Sequence, residues 1–193
     1  GWDTHGLPVE HEVEKELGEP VEKVISVELT PEQRRVYKWL YEENSQELLA
    51  LQEIGAKQGR AVSKAAPVSF NNVAMELRKC CNHPFLIHGV ERSEYARRGP
   101  NAIITADERT ALSGKMVLLS KLLPKLRSEG HRVLIFTQFV MVLELLAEML
   151  QAGGYSFERL DGTIRADLRQ AAIDRYCKPT STTFAFLLST RAG

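Results

Sequence analysis

The feature that most constrains the fold is a series of three short apolar segments in the second half of the chain. They predict strands at residues 133–137, 155–160 and 183–188, each followed by small polar or charged residues. Helical patterns at 140–150 and 165–176 separate them. Strands that alternate with helices are typical of a parallel α/β sheet. Ligands bind such sheets just beyond the carboxyl ends of the strands.

The net charge of the chain gives no overall electrostatic attraction to nucleic acid. The 25 basic and 25 acidic side chains cancel, so any phosphate binding has to come from a local patch. Apolar residues make up 44% of the chain, which is enough for a hydrophobic core. No apolar run approaches the length of a membrane span, and the polar, acidic N-terminus is unlike a secretory signal.

The first half of the chain predicts helices with clear start and stop signals. Residues 24–29 predict a short strand, and Thr30, Pro31 and Gln33 then predict a capped helix that extends to about residue 53. A second helix is predicted over 71–81, ended by the His83-Pro84 pair. Residues 89–112 are polar and predict a linker. The leucine stripe that follows predicts a helix kinked at Pro124.

Two short patterns resemble ligand sites but lack required positions. Cys80, Cys81 and His83 suggest zinc, yet a structural zinc site needs four ligands, so buried free thiols are the preferred interpretation. Ser113-Gly114-Lys115 resembles the end of a phosphate loop, but the motif's other positions are occupied by Arg109 and Met116. A capped helix start is the simpler interpretation. Residues 103–108 resemble a Walker B strand only weakly.

From about residue 20 to its end, the chain resembles the Swi/Snf-type chromatin-remodelling ATPases of the superfamily 2 helicases, most closely the chromodomain-helicase subfamily. The matching segments are VELTPEQRRVYKWLYEEN (27–44), MELRKCCNHPFLI (75–87), SGKMVLLSKLLPKL (113–126), VLIFTQF (133–139), RLDGTIR (159–165), RQAAIDRY (169–176) and FLLSTRAG (186–193). They occur in the family's order and spacing.

The resemblance implies an α/β fold in which a mainly helical segment precedes a partial RecA-like parallel sheet. It implies that residues 19–90 are the end of the first ATPase lobe with its helical protrusion, that 91–112 are a linker, and that 113–193 are the helicase C-terminal lobe, truncated in motif V. A partial sheet exposes strand edges, so self-association is also expected.

A motor that moves along DNA holds the phosphate backbone with donors and cations that do not read bases. The strand-end positions and the resemblance give these nucleic-acid-binding candidates: Lys115, Thr137, Gln138, Gly162, Thr163, Arg165, Ser189, Thr190 and Arg191. Three of them have simpler alternative roles. Thr163 is placed to cap the next helix, Arg165 to be a solvated residue of its first turn, and Gln138 to be a turn residue.

The resemblance implies ATP and Mg²⁺ as cofactors of the complete motor and none for this chain alone. Phosphoryl transfer needs a phosphate cradle and metal ligands, and the Walker A, Walker B and arginine-finger motifs are absent from the sequence. No catalytic residue or metal ligand is therefore assigned. The implied partners are double-stranded DNA or a nucleosome and the missing first ATPase lobe. The implied location is the nucleus.

Residues 1–18, GWDTHGLPVEHEVEKELG, resemble a segment of the class I isoleucyl- and valyl-tRNA synthetases. The two nucleotide-binding signatures of those enzymes are missing, so a synthetase fragment is only a remote alternative. We interpret these residues as a stray leader joined to a remodeller piece, with an unrelated extension as the alternative. The function alternative from another class is a non-enzymatic adaptor that docks a partner through helices 31–53 and 71–81.

Overall fold

The computed structural model describes residues 21–45 and 68–190 of the chain. Its helices and strands, in chain order, are α1 (Pro31–Glu43), α2 (Val68–Asn82), a 3-10 helix (Pro84–Leu86), α3 (Val90–Arg98), α4 (Ala106–Ala111), α5 (Gly114–Ser128), β1 (Val133–Thr137), α6 (Val140–Ala152), β2 (Phe157–Leu160), α7 (Ala166–Cys177) and β3 (Ala185–Ser189). The leader at 1–18 and the predicted helix beyond residue 45 lie outside this part of the chain.

The three described strands form one parallel sheet in the order β1-β3-β2. Val133 lies opposite Ala185 and Thr137 opposite Ser189, while Leu160 of β2 lies opposite Leu188. The predicted parallel α/β fold is confirmed. Because all strands point the same way, their carboxyl ends meet at one edge of the sheet.

Helices cover the two faces of the sheet unequally. On one face, α6 packs Leu143 and Leu150 against Leu187 of the central strand, and all three side chains are fully buried. On the other face, α7 covers β2 and β3 through a cluster that includes Leu160, Ala172, Tyr176 and Phe186. The β1 residues of that second face, Leu134 and Phe136, remain 53% and 61% exposed. On this second face, therefore, α7 covers β3 but leaves β1 exposed to solvent.

The helical segment begins with the predicted capping box. The Thr30 hydroxyl accepts a hydrogen bond from the Gln33 backbone, and the Gln33 side chain accepts one from the Thr30 backbone. Val36 and Leu40 of α1 are buried in a cluster with Cys80 of α2. The apolar stripes of α1 and α2 thus pack into a separate core of the helical segment, although Trp39 and Tyr41 remain about half exposed.

The strand predicted at 24–29 is wrong. Residues 21–30 have no regular secondary structure, and Val24 and Ile25 expose 88% and 57% of their surface. A strand needs a neighbour for its backbone groups, and the described sheet pairs only β1, β2 and β3 with one another. The end of this segment lies instead against the start of α5, where Thr30 Oγ1 donates to the Leu112 carbonyl at 2.8 Å.

The segment predicted as a linker contains two helices, α3 and α4. The segment was predicted as a linker because it is polar, but it contains a second capping box. Thr105 and Glu108 exchange side-chain and backbone hydrogen bonds at the start of α4. Helix α5 continues through Pro124 as one element. The domain boundaries of the sequence analysis stay predictions. None of the described helices is both long enough and apolar enough to cross a membrane.

A buried glutamine joins the helical segment to the segment that carries the sheet. Gln33 is 1% exposed. Its Oε1 accepts from the backbone N–H of Gly114 at 3.0 Å, and its Nε2 donates to the Cys80 carbonyl at 2.9 Å. One side chain therefore satisfies backbone groups of both α2 and α5, which fixes the end of α2 beside the start of α5.

Two further polar contacts reinforce this joint. Ser113 Oγ donates to the Asn82 carbonyl at 2.6 Å. The buried His83 ring accepts from the Phe85 backbone through Nδ1, so its Nε2 carries the proton and donates to the Arg109 carbonyl at 2.9 Å. Burial lowers the pKa of His83, which is consistent with this neutral tautomer. Residues far apart in sequence are thereby brought to one edge of the sheet.

Candidate functional site

A cavity of about 390 Å³ opens at the carboxyl end of β1. Its walls come from the end of α2, the start of α5, the end of β1 with the loop behind it, and the residue after β3. The lining residues are Arg78, Cys81, Asn82, Lys115, Phe136, Thr137, Gln138, Phe139 and Thr190. We call this the strand-end cavity. It brings together four of the predicted site residues, Lys115, Thr137, Gln138 and Thr190.

The parallel register positions the hydroxyl groups of the strand-end cavity. Because β1 and β3 are neighbours, Thr190 follows directly beside Thr137, and its backbone N–H donates to the Thr137 carbonyl at 2.9 Å. The Thr137 hydroxyl accepts from the Phe139 backbone at 3.3 Å. Thr137 at the end of β1 and Thr190 just after β3 therefore lie side by side in the wall of the cavity.

The two cations of the cavity are held by neutral groups. Lys115 Nζ donates to Asn82 Oδ1 at 3.0 Å, and the Arg78 guanidinium donates to Gln138 Oε1. Within residues 21–45 and 68–190, neither cation forms a salt bridge with a carboxylate. An amide oxygen orients a cation without cancelling its charge, so the cavity is a local positive site on a chain of zero net charge.

Three other predicted residues, Gly162, Thr163 and Arg165, lie in the turn after β2. Asp161 organises this turn: its Oδ1 accepts from the backbone and the hydroxyl of Thr163 at 3.0 and 2.5 Å. Its Oδ2 accepts from Arg159 at 2.9 Å. Thr163 does not cap the next helix, since the N-cap of α7 is Arg165 and lacks a side-chain cap bond. That alternative role is wrong.

A second cavity of about 440 Å³ lies beside this turn and is lined in part by Thr163 and Arg165. Its charges are paired. Arg159 contacts Asp161 at 2.8 Å, Arg165 contacts Asp167 at 3.2 Å, and Arg175 contacts Glu158 at 2.7 Å. A cation with a carboxylate partner attracts a phosphate less than an uncompensated one, so this cavity is the weaker anion site of the two.

The two remaining candidates are placed differently. Ser189 lies at the end of β3 and is only 7% exposed, so its side chain sits beneath the surface. Arg191 lies outside the described residues. Lys115, Gln138, Gly162, Thr163, Arg165 and Thr190 are all exposed in the structure.

Sequence reasoning missed Arg78 and Asn82 as members of the site. Both are in the segment MELRKCCNHPFLI, which was matched to the family and overlaps the helix predicted over 71–81, but neither residue was assigned to the site. Their spacing of four residues puts them on one face of α2, away from the buried Val73 and Cys80. That spacing was the available signal, but only the fold showed that this face lies beside β1.

Cys80 and the segment that resembles the end of a phosphate loop have structural roles. Cys80 is buried, its Sγ lies 3.4 Å from the Gln33 carbonyl, and burial raises its pKa to about 12, so the thiol stays protonated. Ser113 caps α5 by accepting from Met116, as a plain helix start would. Among the described residues, no group of three histidine, cysteine or acidic side chains is placed to hold a metal ion.

Two protein-family models match the chain. The SNF2-related domain matches residues 8–86, and the helicase conserved C-terminal domain matches residues 114–193. The first match includes residues 8–18, which the sequence analysis had assigned to the leader.

Similar proteins include Protein CHROMATIN REMODELING 5 of Arabidopsis thaliana, at 42% identity over 94% of this chain and 10% of the relative. Chromodomain-helicase-DNA-binding protein 8 of Danio rerio is 45% identical over 96% of this chain and 7% of its own length. The human Chromodomain-helicase-DNA-binding protein 6 is 44% identical over 94% and 6%. The chain therefore spans a tenth or less of these relatives.

Solved structures show the same fold. The Sulfolobus solfataricus SWI2/SNF2 ATPase C-terminal domain has 20% sequence identity and a TM-score of 0.65, and the likeness covers 90% of this chain and 64% of that one. The SWI2/SNF2 ATPase core of the same organism, in complex with dsDNA, has the same identity and TM-score and covers 90% and 31%. The predicted RecA-like architecture is confirmed.

Proposed function

This chain belongs to the SNF2-related family, and we propose that it supplies part of the DNA-backbone grip of an ATP-dependent chromatin-remodelling motor. In this proposal the chain binds phosphates of double-stranded DNA and does not hydrolyse ATP alone. The nucleosome as substrate and the nucleus as location belong to the same proposal, which is supported by the names of the similar proteins.

One observation supports the proposal: the strand-end cavity gathers several neutral donors and two cations that have no carboxylate partner within residues 21–45 and 68–190. Lys115 and Arg78 provide charge, while Thr137, Gln138 and Thr190 provide hydroxyl and amide groups. Such groups hold phosphate oxygens without reading base edges. A protein that must move along DNA of any sequence needs this type of contact.

ATP and Mg²⁺ belong to the longer motor in this proposal. The described residues do not form a phosphate loop with its metal site, because Ser113 caps α5 as at a plain helix start and no group of side chains among them is placed to hold Mg²⁺. In this proposal the described residues contribute DNA binding and no catalytic step. The first ATPase lobe is the partner that would supply the nucleotide site.

The adaptor alternative is less well supported. It requires α1 and α2 to offer apolar faces to a partner, but Val36, Leu40, Val73 and Cys80 on those faces are buried within this chain. The exposed Trp39 and Tyr41 do not form a stripe at helical spacing, since they are only two residues apart.

The test is a titration of the 193-residue chain against fluorescently labelled DNA duplexes of two unrelated sequences, between about 50 and 200 mM salt. We expect similar affinity for both sequences and a linear fall of log K with log salt concentration, because each neutralised phosphate releases about 0.9 counterion. Lys115→Ala should lower that slope by about one. Thr190→Ala should weaken binding at an unchanged slope, because threonine carries no charge.

Lys121→Ala is the matched control, since Lys121 is an exposed lysine on the same helix outside the cavity. Binding without salt dependence, or equal effects of the two lysine variants, would contradict the proposal. Salt-insensitive self-association with no DNA binding would instead favour the adaptor function.

A further inference from the structure

The walls of the strand-end cavity come from both segments that the family models match. Arg78, Cys81 and Asn82 lie within residues 8–86, and the other lining residues lie within 114–193. We infer that α2 completes the phosphate site, with Arg78 as a direct phosphate ligand and Asn82 as the residue that positions Lys115. This inference rests on the proposed DNA binding and assigns new residues to it.

Helix geometry places Arg78 and Asn82 together at the cavity. Arg78 and Asn82 are one helical turn apart, so both project from the same face of α2. The Asn82 side chain also donates to the Arg78 carbonyl at 2.9 Å, which fixes it at the end of the helix. From this fixed position its Oδ1 accepts from Lys115 Nζ at 3.0 Å. Because the Asn82 amide is itself held in place, it fixes the position of the Lys115 ammonium group.

The buried joint makes this arrangement reproducible. The Asn82 carbonyl accepts from Ser113, and the Cys80 carbonyl accepts from Gln33, which also binds Gly114. These contacts immobilise the end of α2 against the residue that precedes Lys115. A site assembled from rigid elements loses less conformational entropy when it binds.

The charge of Arg78 is available to a phosphate. Arg78 contacts the neutral amide of Gln138, whereas each arginine of the second cavity contacts a carboxylate. A planar guanidinium suits phosphate recognition, and Arg78 is exposed at the cavity. Gln138 orients the guanidinium and leaves its charge available. The arrangement repeats the Lys115–Asn82 pair, so the cavity holds two cations that are each oriented by an amide.

The test compares Arg78→Ala, Asn82→Ala and Asn82→Asp in the same salt titration. Arg78→Ala should lower the slope of log K against log salt by about one, as loss of a phosphate-binding cation does. Asn82→Ala should weaken binding about 2- to 10-fold, the range for one hydrogen bond, at an unchanged slope. Asn82→Asp should lower the slope by about one, because its carboxylate neutralises Lys115.

A double-mutant cycle tests whether Asn82 acts through Lys115. In a Lys115→Ala background, Asn82→Ala should have no further effect on DNA affinity, because the residue it positions is gone. Purely additive effects would overturn the positioning role. Circular dichroism and thermal unfolding of each variant verify that the fold is retained.

Arg92→Ala is the control for Arg78→Ala, since Arg92 is an exposed arginine on α3 outside both cavities. If Arg78→Ala and Arg92→Ala had equal effects while Lys115→Ala still lowered the salt slope, Arg78 would not be a phosphate ligand. The proposed function would then still stand. Absence of salt-dependent binding by the wild-type chain would overturn both.

Discussion

At the residue scale, Asp161 shows how one buried carboxylate shapes a turn at the sheet edge. It is 3% exposed and accepts hydrogen bonds from Thr163 and Arg159. These contacts, led by the Thr163 hydroxyl, hold the pKa of Asp161 below its ordinary value of 3.8. The turn that presents Gly162 and Thr163 therefore depends on an ionised group, and its stability should depend on pH.

We predict that Asp161→Asn lowers the free energy of unfolding at pH 7 by about 1.5–3 kcal/mol, the range for hydrogen bonds to a charged group. A depressed pKa stabilises the fold above the ordinary value and loses that contribution as pH falls through 3.8 toward the folded pKa. The difference between wild type and variant should therefore shrink when urea unfolding is repeated near pH 3.

Asp174→Asn provides the comparison, because Asp174 is an exposed aspartate on α7 whose side chain accepts a hydrogen bond from the exposed Gln170. Its effect on unfolding should be within about 0.5 kcal/mol, as for ordinary surface substitutions. An Asp161→Asn deficit that is the same size at pH 7 and pH 3 would exclude the ionised form as the source of the stability.

At the scale of elements, the start of α5 decides how the helical segment meets the sheet. Gly114 is the first residue of α5, and a Cβ there would clash with the Glu28 carbonyl oxygen and lie 2.9 Å from Val27 Cγ1. The glycine therefore serves close approach of two chain segments. The same closeness of the two segments lets the Gln33 side chain accept a hydrogen bond from the Gly114 N–H.

We predict that Gly114→Ala destabilises the protein by about 1–3 kcal/mol, the range for overpacking. Helix propensity alone predicts the opposite sign, since alanine is favoured over glycine by about 1 kcal/mol inside a helix. Chemical denaturation measures the difference directly. Ser120→Ala, at an exposed position of the same helix, should be close to neutral. A stabilised Gly114→Ala variant would show that residues 27–28 do not pack against α5 in solution.

At the scale of the whole molecule, the described sheet has β1 and β2 as its edges. The uncovered face of β1 exposes Leu134 and Phe136. Exposed apolar edge strands pair readily with other chains. Charge does not oppose such association strongly, because the net charge is zero.

We predict concentration-dependent self-association of the chain, reduced by Leu134→Lys, and measurable by sedimentation velocity or light scattering. Leu168→Lys is the matched control: Leu168 is 55% exposed against 53% for Leu134, but it lies on helix α7 and not on a sheet edge. A monodisperse wild-type monomer at high concentration, or equal effects of the two lysine variants, would contradict an edge-driven mechanism.

Much of the sheet and part of the site could be predicted from local patterns. The bounds of β1 were predicted to the residue, and Thr137 and Thr190 were expected at strand ends on one edge of the sheet, because parallel strands bring their carboxyl ends together. That their strands are direct neighbours came only from the structure. The strand at 24–29 failed because an apolar run specifies a strand only if a neighbouring strand is available. Helix α4 was missed because its signal is a polar capping box, with no apolar stripe.

The sequence by itself determined the family, the alternation of strands and helices, and the chemistry of the strand ends, since these depend on residues close together in the chain. The tertiary structure decided which strand ends share a cavity and which of the described cations are oriented by an amide instead of a carboxylate. Arg78 and Asn82 reach the site only because buried hydrogen bonds from Gln33 and Ser113 dock α2 against α5. Such contacts join residues distant in sequence, and no local pattern encodes them.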